Sequence, residues 1–103
     1  MLIVTTDHIP NKEIKEVFGY VKGSTIRAKH IGNDIMASLK GLVGGEIKEY
    51  SAMLDEARQV AVTRMVQEAE GKGANAIVGF RLQTSTVMSG ASEIVAYGTA
   101  IRM

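Results

Sequence analysis

The 103-residue chain contains no cysteine. Disulfides, thiolate zinc sites, iron–sulfur clusters and cysteine nucleophiles are thereby excluded. Proline occurs once, and the aromatics are three Tyr and two Phe with no Trp. A core must therefore be built from Val, Ile, Leu, Ala and the six Met. An excess of one charge sign is also missing, because 12 basic residues face 11 acidic ones for a formal net charge of +1. Nucleic acids and anionic membranes are held by clustered positive charge, so neither is expected as a partner. No apolar run approaches the ~20 residues that span a bilayer. The opening "MLIVTTDHIPNKE" has no basic start followed by an apolar stretch, so no signal peptide is expected and a cytoplasmic address is the default.

What is present suits one domain, residues 1–103, with 46% hydrophobic and 22% charged residues. Leu2–Thr6 is a β-branched run and reads as a strand, closed by the turn chemistry of Asp7–Asn11. Glu16–Lys29 offers a second strand, interrupted by Gly19 and Gly23. Asn33–Gly45 reads as a short helix, with Asn33 as N-cap and Gly44-Gly45 as the stop. A long helix is expected from Ser51 to Glu70, ended by Gly71-Lys72-Gly73. Asn75–Ser85 and Ser92–Met103 are the remaining strands, joined through Thr86–Ala91 as an antiparallel hairpin. This order predicts an α+β layer: a small, mostly antiparallel sheet packed against one long helix plus a short helix. Gly19, Gly79 and Gly98 fall inside strands, where glycine costs stability and points to a bulge or a close approach of the long helix.

At 100° per residue, Met53, Leu54, Ala57, Val60, Ala61 and Met65 share an arc of about 140° on the long helix. Arg64 falls within that arc, with Glu68 one turn later and Arg58 at its far edge. A guanidinium among apolar neighbours must be paired or must reach out. Three readings stay open. Arg64 pairs with Glu68 while its alkyl stem covers the sheet edge; or Arg64 and Arg58 reach a neighbouring subunit; or an arginine holds a ligand's carboxylate or phosphate. Arg81, read as sharing a strand face with Ile77 and Gly79, poses the same question. Tyr50, beside the helix entrance, is expected to pack its ring.

Signals for catalysis are weak. Ser51 reads as an N-cap without a GxSxG setting, and Glu46 and Glu49 suit a helix entrance, where negative charge is favoured. His8 and His30 have no HxH or HxxxH partner, and the methionines form no soft-metal array, so no metal or cofactor site is assigned. The glycines of "GKGANAIVG" precede a strand, whereas a phosphate-binding loop follows one. The expectation is a protein without enzymatic activity.

The stretches "GGEIKEYSAMLDEARQVAVTRM", "GANAIVGFR" and "YGTAIRM" carry a resemblance along nearly the whole chain. The order G-E-x-x-x-Y-S-x-M-L-x-x-A-R, with a second arginine six positions later at Arg64, resembles the YbjQ-like proteins, a bacterial and archaeal family labelled heavy-metal-binding. The resemblance implies a dodecin-like subunit that assembles into a ring, a homopentamer. Soft metals are held elsewhere through paired cysteines, which are missing here, so the label is read as a name more than a mechanism. A ring would place Tyr50, Arg58, Arg64, Glu68 and Arg81 as interface or pocket candidates. It would leave two functional alternatives: a binding or scaffold protein of unknown ligand, or a metal-ion or small-ligand binder whose sites form between subunits.

Overall fold

The computed structural model describes residues 1–28, 48–88 and 91–103. Its elements are β1 (Leu2–Ile3), β2 (Glu16–Ala28), α1 (Lys48–Gly71), β3 (Ala76–Met88) and β4 (Ala91–Arg102). The short helix expected over 33–45 lies outside the described residues. The four strands form one mixed sheet in the order β1-β3-β4-β2. Its two long pairings, β2 with β4 and β3 with β4, are antiparallel, and the short β1 runs parallel to β3. The α+β expectation holds.

The long helix begins at Lys48, three residues before the expected start, so Ser51 lies inside its first turns and is not its N-cap; Ala, Leu, Glu, Arg, Gln and Met dominate its length and favour it. It stops by a Schellman arrangement. Gly73 takes a positive φ of 89°, its amide donates to the Glu70 carbonyl at 3.0 Å, and the Ala74 amide donates to the Ala69 carbonyl at 3.1 Å. Ala57, Ala61, Met65 and Ala69 recur every fourth residue and are fully buried against Val21, Ile77, Ile94, Ala96 and Ala100. Three of those four helical residues are alanine, so the helix backbone lies close on β2 and β4.

The buried stripe is rotated from the arc read in the sequence. Ala69 is fully buried while Met53 and Val60 are only half-buried, so Arg64 sits at the margin of the contact and is exposed. The close approach falls at Gly23, where an added Cβ would overlap the backbone of Ala61 and Met65. Gly98 instead makes room for the neighbouring strand, with Ile77 Cγ2 at 2.7 Å from its ideal Cβ position. Gly19 (φ 95°) and Gly79 (φ 64°) sit at the register shifts of β2 and β3, so the bulge reading holds for both.

A smaller core lies on the opposite sheet face. Ala76, Val78 and Ile101 are buried there under Val4, Ile9, Ile14 and Met103. Asn75 clamps the last residue, its side-chain amide donating to the Met103 carbonyl at 3.1 Å while its oxygen accepts from the Met103 amide at 2.9 Å. β1 stops at Ile3, short of the expected Thr6, whereas β3 and β4 outrun their expected ends at the link: β3 continues to Met88 and β4 begins at Ala91, so Thr86, Val87 and Met88 belong to β3.

Candidate functional site

The helix covers β2 and β4 and touches β3 little. This offset opens a groove of about 620 Å³ between the helix flank and the β1/β3 side of the sheet, lined by Ile3, Asp55, Arg58, Gln59, Val62, Phe80 and Leu82. Ile3, Val62, Phe80 and Leu82 make it apolar, and the helix supplies Asp55, Arg58 and Gln59 two to three turns after its start at Lys48. Its volume is in the range of small-molecule sites, and an apolar wall with few polar groups is their usual composition. The guanidinium of Arg58 donates to Asp55 Oδ1 at 2.9 Å, one helical turn away and in contact with water. An exposed pair of this kind contributes about 0–1 kcal/mol, so it holds Arg58 in place weakly and leaves it open to exchange partners.

The arginines singled out in the sequence do not converge. Arg64 lies on the other side of the helix and donates to the main-chain carbonyl of Ser24 at 2.6 Å. No ion pair with Glu68 forms among the described residues, and Glu68 is exposed. The reading in which Arg64 pairs with Glu68 is therefore corrected: a strand-edge carbonyl is the partner, because the helix lies close enough to β2 for the side chain to reach it. Arg81 is also displaced from expectation. Ile77 faces Ala100 and Arg81 faces Tyr97, so β3 takes one more residue than β4 between Val78 and Arg81. The extra residue turns Arg81 onto the face away from Ile77 and the helix. There its Nη1 donates to the Thr5 carbonyl at 3.0 Å and the Phe80 carbonyl at 2.7 Å, tying the N-terminal segment to β3. Tyr50 belongs to the first turn of α1, and its side chain lies outside the described residues.

The groove itself was not legible in the sequence. Asp55 and Arg58 could be seen three residues apart on one helix, but their meeting with Ile3 and Phe80 depends on where the helix crosses the sheet. Replacement of Arg64 by Ala is expected to remove one charge-assisted bond at a solvent-exposed position and to lower the stability of the fold by about 1 kcal/mol. Thermal denaturation at matched protein concentration measures it, and an unchanged midpoint would mean that the Ser24 contact contributes nothing.

A two-layer α+β domain with an amphipathic side groove is the class that these observations define. The family model described as "Putative heavy-metal-binding" matches residues 1–103, and the chain belongs to this family, YbjQ_1. Among similar proteins, a UPF0145 protein of Halalkalibacterium halodurans is 67% identical over 103 residues, covering 100% of this chain and 97% of that one. A UPF0145 protein of Clostridioides difficile is 60% identical over 98% of this chain and 90% of its own length. One of Thermotoga maritima is 52% identical over 100% and 97%. The fold is similar to the crystal structure of a protein with unknown function of the DUF74 family from Pediococcus pentosaceus, with a TM-score of 0.66 at 20% identity, covering 100% of this chain and 97% of that one.

The family's description implies a metal, and the residues here can be tested for it. Among the described residues no group of three or more His, Cys, Asp or Glu side chains comes together. With no cysteine anywhere in the chain, the described residues do not fit a soft metal ion. No helix among the described residues is long and apolar enough to cross a membrane.

Proposed function

We propose that the chain works as a cytoplasmic, non-enzymatic homo-oligomer, a ring of five, that binds or scaffolds a ligand through surfaces completed by assembly. The observation that carries this reading is the exposed apolar surface of the long sheet. Val17, Tyr20, Ile26 and Met88 each leave 60% or more of their surface in water, and Leu82 and Val87 leave over 40%. A second support is shape. The radius of gyration is 16.9 Å, against about 13 Å for a compact domain of this length. A subunit so extended has surface to lose to a neighbour, and cyclic assembly covers different patches at each seam.

Light scattering on the purified chain tests it. The expected mass is near five times 11.1 kDa, and a stable monomer at micromolar concentration would refute the reading.

The groove supports a second reading, in which a small ligand or metal ion binds where a neighbouring copy closes that opening. Calorimetric titration of the assembly with zinc, copper and nickel, beside a His8→Ala, His30→Ala variant, addresses the metal. Saturable heat lost in the variant would favour a histidine site between subunits, and identical heat would exclude one.

A further inference from the structure

The groove beside the helix has an uneven lining. Ile3, Val62, Phe80 and Leu82 form its apolar wall, and among the described residues that line it only Asp55 and Arg58 are charged. These two stand one helical turn apart and meet through a single bond, Arg58 Nη1 to Asp55 Oδ1 at 2.9 Å. The bond occupies one nitrogen of a guanidinium that carries five N–H donors, and one oxygen of a carboxylate that has two. Their side chains are 46% and 71% exposed, so both are open to a ligand arriving from water. A cation and an anion, each with bonding capacity to spare, therefore stand side by side against an apolar wall.

This charge pattern discriminates among small ligands. A simple carboxylic acid would gain Arg58 but bring its anion against Asp55, and a simple amine would gain Asp55 but meet Arg58. Like charges placed together offset what the opposite pair supplies. A molecule with an ammonium and a carboxylate on one carbon satisfies both partners at once, and an apolar substituent on that carbon turns toward the wall. A peptide does not offer this, because its amide bonds leave the two charges at opposite ends. Resting on the reading in which the groove holds a small ligand, we propose that it is a binding site for a free apolar α-amino acid. The ligand's ammonium donates to the Asp55 carboxylate, its carboxylate accepts from the Arg58 guanidinium, and its side chain lies on Val62, Phe80 and Leu82. Phe80 gives an aromatic side chain a ring to pack against. A weak, exposed ion pair shifts at little cost to admit the two added charges. The groove, at about 620 Å³, takes such a molecule whole.

Calorimetric titration of the purified chain with three compounds that share one ring tests the proposal. They are L-phenylalanine, 3-phenylpropanoate, which lacks the ammonium, and 2-phenylethylamine, which lacks the carboxylate. L-Phenylalanine is expected to bind saturably. Each analogue is expected to bind about tenfold or more weakly, because it loses a charged hydrogen bond and leaves a like charge facing it. Arg58→Gln and Asp55→Asn alter exposed side chains, so the helical circular dichroism is expected to stay while each variant weakens L-phenylalanine to a similar extent. An analogue that binds as tightly as L-phenylalanine would overturn the amino-acid assignment and leave the groove standing as a small-ligand site. An unchanged affinity for L-phenylalanine in either variant would overturn the assignment too. No saturable heat from any of the three compounds would remove the small-ligand reading of the groove, and the proposal with it.

Discussion

Gly23→Ala is expected to lower the unfolding free energy by about 3 kcal/mol, the upper part of the range for overpacked sites. The added methyl group has no room. Its ideal position overlaps the Ala61 carbonyl oxygen and the Met65 amide nitrogen, and Arg64 C lies at 2.8 Å. All three are helix backbone, so no side-chain rotation relieves the clash and the helix must lift from β2. Lifting it also strains the buried hydrogen bond from Thr25 Oγ1 to the Ala57 carbonyl, 3.1 Å, and the Arg64 bond to Ser24. Denaturant unfolding of the variant beside Gly71→Ala measures the effect. Gly71 has nothing within 4 Å of its ideal Cβ position, so that control is expected within about 0.5 kcal/mol of the parent. Equal midpoints for Gly23→Ala and the control would show that the helix does not approach the sheet so closely.

Met65→Ala is the second large effect, at about 3 kcal/mol from lost burial and the cavity left behind. Met65 is among the largest fully buried side chains and packs in the main core. Met53, which the sequence places on the same apolar arc, is only half-buried, and Met53→Ala is expected to cost about 1 kcal/mol. The same unfolding measurement on both variants compares them. Equal losses would mean that the helix is seated on the arc read from periodicity and not on the Ala57–Ala61–Met65–Ala69 stripe.

That difference shows where sequence reasoning stopped. A 100° period identifies an amphipathic helix from apolar and polar types, but alanine and methionine count alike within a moment that is shallow here. The choice among neighbouring arcs is made by depth: small residues go where backbone must approach backbone, and Gly23 on the facing strand supplies the matching hollow. The reading of Arg81 failed for a related reason. Strand faces were assigned by strict alternation, and one extra residue near Gly79 inverted the faces from Arg81 as far as Thr86, where a second register shift follows. The groove was invisible for the same cause as the Arg64 contact with Ser24, since each joins residues distant along the chain.

From its residues alone, then, the protein's helix, its long strands and their α+β layering were determined, because periodicity, glycine stops and β-branched runs act over a few neighbouring positions. The family also followed from ordered short motifs. Only the tertiary structure decided which helix stripe is buried, which way Arg64 and Arg81 point and where the groove opens. Each of these depends on the offset of one helix across a bulged sheet, a quantity summed over many long-range contacts and encoded at no single position.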